Sequence, residues 1–543
     1  MKRLIILLLL VALLLSATGC QGNKITSPPS ETISEDADRM QISMGFWDIQ
    51  SMVNAAGKDA IWQMIEEKFE IEIQPVNLNW SDYNERYLIM AISGSLPDIF
   101  AATTTSVTSG DNVLQMSDML ARDLLRPLPE DLSAYPLVEK TVNELRDFIT
   151  YEDGNIYAFP RKSFEEPELA SSDAGMLVRK DWLENLGLGK PETLEDFIAM
   201  AAAFANDDPD GNGIDDTIGY NCNNQLVLGK WLSLGIAPEC NIYSWIDYDG
   251  RFIPTYLHPE YQNVVATLWK LYQEGGLDPE FYQKKANDAV YDFGRGTLGA
   301  LEYKVSPATI AEAEMYWNKY HDETEKFSDH VTYLNIFPAP DGNRYSNSSS
   351  VFWSETLISA SVSDEKLDKI LQLYDYLLSD DGLTLIRIGL EGSDYMIESG
   401  EYKSLLDTSE DNVSSLLTTK YPSLYLFTSL ASWGGSEMDF FVSPENNLRY
   451  GETSMTIAQE SYLWNKENTQ LVRRPIEFLH MIKTDHEEFN SKSFADKLAQ
   501  VIVSEDDPIT GWQAVIAEWQ EAGLNEYIEN INHMASSSGI KPK

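Results

Sequence analysis

Apolar positions open the chain as an unbroken run, Leu4 to Leu15, between Lys2-Arg3 and the small residues Ser16, Ala17, Thr18 and Gly19 that precede Cys20. A basic start, a short apolar core and a small-residue exit are the three parts of a secretory signal. The run is shorter than the roughly 18 residues a spanning helix needs, so 1–19 reads as a segment removed on export. The pattern then turns to Ser, Thr, Pro, Asp and Glu from Gln21 to Arg39. Such a stretch buries too little surface to offset its ordering entropy, and 20–40 reads as a flexible tether.

From residue 58 the periodicity is that of a folded body. Ile61, Ile65 and Phe69 share one helical face, and Ile71, Ile73 and Val76 mark an extended run in EIEIQPV. A second helix is predicted over 81–93, after which the chain turns at Gly94-Ser95-Leu96-Pro97 into Asp98-Ile99-Phe100-Ala101. The segment YEDGNIYAFP, 151–160, is a turn at Asp153-Gly154 leading into a short strand. Strands alternating with helices indicate an α/β layer around a mainly parallel sheet. About 500 mature residues exceed a single core and imply two or more lobes.

Six fragments resemble one family in the same order. They are WSDYNERYLIMAISGSLPDIF (80–100), DGNIYAFP (153–160), LVRKDWLENLGLGKPETLEDF (177–197), LYQEGGLDPEF (271–281), FPAPDGNRY (337–345) and LLSDDGLTLIRIGLEGSDY (377–395). The family is the extracellular solute-binding lipoproteins of ABC sugar importers, in particular the large oligosaccharide-binding branch. The resemblance covers nearly the whole mature chain. It implies an α/β, two-lobed periplasmic-binding-protein-like fold (type II) with the ligand cleft between the lobes. Lobe one would hold 41–155 plus 362–405 and lobe two 160–355 plus 406–543, with hinge strands near Ile156–Pro160 and Thr356–Ser361. It further implies a monomer that captures an oligosaccharide without altering it and delivers it to ABC transporter permease subunits. The exit before Cys20 resembles a bacterial lipobox, with Ala17 at the position where that motif usually carries Leu. There the cysteine becomes the first residue and carries diacylglycerol; two acyl chains hold where one is marginal. The chain would then sit on the extracellular face of the bacterial cell membrane, held by lipid alone. Ordinary secretion with an incidental cysteine is the alternative.

Charge narrows the partners. The formal charge is −46, from 40 basic and 86 acidic residues. That field repels nucleic acid and other polyanions and suits neutral or cationic ligands. Cys222 and Cys240 remain in the body; an oxidising compartment would let them pair, and buried thiols fit their spacing as well. Motifs for other chemistry are missing from the sequence: GRGTLG (294–299) lacks the phosphate-loop pattern, and there is neither a G-x-S-x-G elbow nor an HExxH. A surface glycan-degrading enzyme, or a glycan sensor or adhesion module, stays as the rival reading.

Two patterns carry candidate chemistry. In DDPDGNGIDDT (207–217), Asp208, Asp210 and Asn212 stand at alternate positions, Gly213 follows, and Asp216 is ninth. Calcium takes about six to eight hard oxygens, and an EF-hand loop supplies them with this spacing, its glycine making the turn. Ile214 would add its backbone carbonyl. Gly219 stands where a full EF-hand has Glu, and Thr217 where some related binding proteins have a further acid. A structural Ca2+ is expected here, against the plainer reading of a solvated Asp/Asn/Gly turn. The second pattern is aromatic, since flat rings among hydrogen-bonding groups make sugar pockets. Trp47, Trp245, Trp353 and Trp433 stand in polar or turn-like surroundings, and Tyr303 ends the strand-like GTLGALEY. Arg161 follows the predicted hinge strand with a fork of donors. Asp98 and Glu391 offer acceptors to sugar hydroxyls. For each Trp a core position is the plainer reading, and for the two acids a cap or an ion pair.

Overall fold

The computed structural model describes residues 39–47, 49, 57–79, 83–102, 119–151, 153–163, 174–222, 228–240, 245–285, 287–347, 352–408, 411–431, 441–472, 489, 491–537 and 541–542. The signal segment, Cys20, the tether up to residue 38 and Trp433 lie outside the described residues.

Local preferences build the first layer. Helix α1 (Ala60–Phe69) begins where the Asp59 side chain accepts from the Trp62 N–H, and stops where Glu70 turns left-handed, φ 54°. Its buried side carries Ile61, Trp62, Ile65 and Phe69, which includes the predicted face. Strands β1 (Met40–Trp47), β2 (Ile71–Leu78) and β3 (Ile99–Ala102) follow the expected alternation, with α2 (Tyr83–Ser93) leading into β3. After α3 (Pro136–Ile149) comes β4 (Ala158–Lys162).

The second sheet holds β5 (Ala174–Arg179), β6 (Ile218–Cys222), β9 (Leu298–Lys304) and β10 (Val331–Leu334) in the order β10-β5-β9-β6. Helices α4 (Leu194–Asn206), α5 (Lys230–Ile236) and α7 (Asp288–Gly294) pack on it, with α6 (Tyr261–Gln273) against α4 and α5 and α8 (Pro307–Tyr320) against α7. Along β9, Leu298 and Leu301 join a core shared with the first sheet, while Ala300 joins the outer core with Phe197 and Leu268. The hairpin β7 (Trp245–Tyr248) and β8 (Arg251–Pro254) packs on that outer core.

The chain then returns. Strand β11 (Tyr345–Asn347) pairs in parallel with β15 (Gln470–Val472), and β12 (Phe352–Ile358) enters the first sheet, whose order is β2-β1-β3-β12-β4. β12 runs antiparallel to both β3 and β4, whereas β1 and β3 are parallel. Both sheets are therefore mixed, in place of the mainly parallel arrangement expected. The reason is topological: a strand arriving from the second sheet is inserted in the middle of the first. The positions expected to be hinges lie within this ladder, Thr356 opposite both Phe159 and Ala101. The backbone leaves the first sheet after Lys162 and re-enters at Phe352.

The later helices also correct the expected boundaries. After α9 (Asp364–Leu377) and α10 (Asp380–Ile388) comes the hairpin β13 (Tyr395–Glu398) and β14 (Glu401–Ser404). Next are α11 (Val413–Lys420), α12 (Leu424–Ala431), α13 (Pro444–Tyr450) and α14 (Glu452–Asn468). Residues after 405 were assigned to lobe two, yet α12 packs on β4 and α9, and Leu426, Phe427 and Leu430 share the core of Phe159 and Ile370. Asp59 at the start of α1 also accepts from Ser423 N and Oγ, at 2.9 and 2.8 Å. The last helices, α15 (Ser491–Val503), α16 (Pro508–Glu521) and α17 (Leu524–Ser537), belong with α6 and the outer core of the second sheet.

Two candidate ligand residues prove structural. Trp245 opens β7 at 5% exposure, its ring 5.9 Å from that of Tyr527 on α17, so it fills the outer core. Asp98 precedes β3, at the edge opposite the carboxyl ends of strands where ligands of such sheets gather. Its carboxylate accepts from Ser43 N (2.7 Å) and Oγ (2.8 Å) and from Lys366 Nζ (2.9 and 3.0 Å). It ties β1, β3 and α9 together. Cys222 and Cys240 are both buried and not joined to each other. Among the described residues, no helix is long and apolar enough to cross a membrane. Asp98→Ala strands the Ser43 N–H and the Lys366 ammonium and is expected to lower stability by about 1–3 kcal/mol, read as a lower urea midpoint; an unchanged midpoint would refute the strut.

Candidate ligand-binding site

The strand that leaves the first sheet carries Arg161 into the interior. It is 1% exposed, and its Nη1 donates to the Ser429 carbonyl at 3.4 Å. Burial pushes its pKa down to about 9, against the pull of Tyr425, Glu355 and Tyr374, so the guanidinium keeps its charge at neutral pH. Glu355 is equally buried on β12, opposite Pro160. A charge so deep in the fold persists only with such compensation. Arg161 was expected to reach ligand; instead it braces α12 from behind.

On the far side of Ser429 lies a cavity of about 220 Å³. It is lined by Arg387 of α10, Arg449 of α13, the polar Ser414, Thr418, Tyr425, Thr428 and Ser429, and the apolar Ile386, Leu417 and Leu424. No Asp or Glu is among its described lining residues. Sequence reasoning missed both arginines. Arg387 lies inside the family-like LLSDDGLTLIRIGLEGSDY, whereas Arg449 in PENNLRYG carries no local signal.

The second sheet contributes Glu302 and Tyr303 near the end of β9. Glu302 is buried and accepts from Trp231 N at 2.6 Å and from the Tyr220 hydroxyl. Burial raises its carboxyl to about 7, against the pull of those two donors. Tyr303 is half-buried, opposite Gly175, and strand alternation turns it to the other face. Trp47, at the carboxyl end of β1, is 3% exposed with Tyr83 edge-on at 5.5 Å and 78°, a core contact. The ladder shifts between Phe352 and Glu355, which puts the backbone of Trp353 at an irregularity of the kind that often adjoins sites. The Trp353 side chain lies outside the described residues. Glu391 sits on an exposed turn bridged to Tyr395, away from the arginine cavity's lining. Of the candidates, then, the fold brings Arg161 to a cavity wall and sets Asp98, Trp245 and Glu391 apart from it.

The loop 207–217 follows α4, whose start is secured by a reciprocal Thr193–Asp196 capping box. Left-handed backbone at Asp208 (φ 48°), Gly211 (69°) and Gly213 (77°) winds it tightly. Asn212 Nδ2 spans Asp210 (2.8 Å) and Asp216 (3.2 Å), Gly213 N–H donates to Asp208 (3.1 and 3.2 Å), and Ile214 N–H to Asn212 Oδ1 (2.6 Å). Burial raises the Asp210 carboxyl, and nearby Asp208 and Asp216 add to the rise against the Asn212 N–H. The carboxylates thus crowd one another, though their oxygens are taken by the loop's own donors. Among the described residues no group of three or more His, Cys, Asp or Glu stands assembled as a metal centre.

No family model matches the chain. It is 27% identical over 379 residues to Lipoprotein LipO of Bacillus subtilis (strain 168), covering 67% of this chain and 69% of that one. It is 25% identical over 407 residues to the Polygalacturonan/rhamnogalacturonan-binding protein YtcQ of the same organism, covering 74% of this chain and 75% of the relative. Among solved structures, the alginate-binding protein AlgQ2 without calcium ion superposes with a TM-score of 0.65 at 16% identity, covering 92% of this chain and 98% of that one. The Streptococcus pneumoniae ABC-transporter substrate-binding protein FusA in complex with kestose gives 0.63 at 18% identity, covering 92% and 99%. The fold is the two-lobed α/β fold of solute-binding proteins. At 25–27% identity these relatives are what the chain is similar to, and the solved structures define its fold.

Glu302 of β9 makes the stability of the fold depend on pH. Its folded pKa lies above the unfolded value of about 4.3, so the native state binds the extra proton and stability falls as pH rises through that window, levelling off above about 7. Glu302→Gln should flatten this decline by about 3–4 kcal/mol between acid and neutral pH. Urea unfolding across the range measures it; identical slopes in both proteins would contradict the assignment.

Proposed function

We propose that the protein is a receptor that captures an extracellular oligosaccharide between its lobes and delivers it, unaltered, to the permease subunits of an ABC importer. The observation that carries this reading is the fold match across 92% of the chain to a substrate-binding protein described in complex with kestose and to an alginate-binding protein. A relative named as a fructooligosaccharide substrate-binding protein, 25% identical over 43% of this chain, points the same way. Ligand that touches both lobes stabilises the closed arrangement, and a backbone crossing more than once makes the bend restrained. Release before Cys20 and lipidation of that residue would keep a monomeric receptor on the outer face of the membrane, close to its permease.

The loop 207–217 would hold a structural Ca2+ through Asp208, Asp210, Asn212, the Ile214 carbonyl and Asp216. What supports this is the donor chemistry: hard oxygens on a tightly wound backbone, with carboxylates crowded enough to raise Asp210. A solved FusA structure is also described as an EF-hand mutant. The bound ion would offset the mutual repulsion of the acids.

A thermal-shift panel of neutral, acidic and amino-sugar oligosaccharides tests the receptor. At least one should raise Tm and be recovered intact; no shift with any sugar, or a cleaved ligand, would overturn the proposal. Calcium should raise Tm of the unmutated protein and fail to do so in Asp208→Ala and Asp210→Ala. A calcium response that persists in both variants would place the ion elsewhere.

A further inference from the structure

We infer that His321, seated against Arg179 and the Gly296 backbone, is a proton-operated latch. The neutral imidazole holds the end of α8 on the second sheet, and acid releases it into an adjoining acidic cavity. The inference goes beyond the receptor reading and does not depend on which sugar binds. His321 follows the last turn of α8, its N–H donating to the Trp317 carbonyl at 2.9 Å. Its ring lies flat on the Trp317 indole, the centroids 3.8 Å apart at 12°. Arg179, at the end of β5, holds its guanidinium over the rings of Trp317 (4.9 Å) and Trp182 (4.7 Å). It donates to the Gly296 carbonyl at 3.2 Å and to Asp181 at 2.8 Å.

A second proton does not fit this seat. Nδ1 of His321 stands 3.4 Å from Glu325 Oε2, whereas Nε2 is buried and meets no acceptor among the described residues. Nε2 is pressed on Gly296, where a Cβ would come within 2.9 Å of it and within 3.3 Å of Arg179 Nη1. An N–H there would be buried, unanswered and close to a guanidinium, which is costly on every count. The remaining charges around the ring have partners of their own. His330 Nδ1 lies 3.1 Å from Asp181, and Arg295 of the Gly296 turn pairs with Asp292 at 2.9 Å. Burial lowers the His321 pKa, Arg179 and His330 lower it further, and Glu325 offsets this only in part. The latched state is therefore fully held above the ordinary value of about 6.5 and loses stability as pH falls through the lower folded value.

The released ring has a place to go. The end of α8 and the turn after it border a cavity of about 370 Å³, lined by Glu314, Asp322, Glu323 and Glu325 with Lys326 opposing them. An imidazolium gains attraction there that it lacks beside Arg179. Thr453 of α14 forms part of the same wall, and Glu314 Oε2 accepts from Ser454 Oγ at 3.1 Å. α13, one residue before α14, packs on α10 and α11. The latch thus stands where α8 meets the helices that connect the two lobes.

Histidine labelled with carbon-13 at Cε1 in the full mature chain tests the latch, because the chain has 6 histidines and His321→Gln identifies one signal. In neutral buffer the His321 signal should lie upfield, under the ring current of Trp317. On acidification it should titrate below about 6.5 and move to the position of a free imidazolium. Hydrogen exchange over 318–330 should lose protection by about threefold or more between neutral and mildly acidic buffer. His321→Phe, a flat ring with no proton to gain, should abolish that loss. If its urea midpoint shows a poorly folded chain, His321→Gln carries the same expectation of a segment indifferent to pH. A ring that protonates while still upfield, a midpoint at or above the ordinary value, or protection that falls equally in both variants would overturn the latch.

Discussion

The first sheet cannot be completed by contiguous chain. β12 must lie between β3 and β4, bonded to both, and it arrives only after the strands of the second sheet have been laid down. Without it, the inner N–H and C=O groups of β3 and β4 would face no partner, a cost that buried backbone does not tolerate. The chain must therefore depart, build a second sheet and return. Two lobes and paired crossings follow from that one requirement. Loop-closure entropy grows only slowly with the length of the excursion, so a long detour is thermodynamically tolerable.

Around this crossing the interior holds charged residues, and their surroundings set which form is stable. Arg161 on the departing strand lies beside Glu355 on the returning one, both sealed from solvent. Removing either would leave the other buried without its counter-charge, the costly way to break such a pair. Asp98 does comparable work at the opposite edge, where Lys366 and Ser43 converge on it. Glu302 is the exception. Its donors are a hydroxyl and a backbone N–H, and burial raises its carboxyl to about 7. The large negative total charge thus says little about the interior, where pairing and desolvation decide which form of each group is stable.

The same distinction governs recognition. A net charge acts over a Debye length in solvent, whereas a pocket presents only the few groups that line it. Arg387 of α10 and Arg449 of α13 line one cavity inside an acidic protein. That lining includes residues of α12, whose Ser429 carbonyl accepts from Arg161 of β4.

What the sequence determined by itself was local. The Ile61, Ile65, Phe69 periodicity and the run from Ile71 define α1 and β2 because neighbouring residues set their own backbone and face. Ordered fragments along the whole chain were enough to point to a family and its fold. The oxygen spacing of 207–217 could be read as a candidate metal loop because such a loop draws its ligands from one short segment. The roles of Asp98, Trp245 and Arg161 were not legible. A carboxylate, an indole or a guanidinium has the same chemistry in a cleft, a strut or a core, and only the donor or ring that reaches it decides. Asp98 met Lys366 from α9, Trp245 met Tyr527 from α17, and Arg161 met the Ser429 carbonyl. Arg387 and Arg449 became one cavity only through the packing of separate helices. Those contacts join residues far apart in the chain, and long-range pairing is set by which surfaces the folded layers bring together, a quantity that no local pattern encodes.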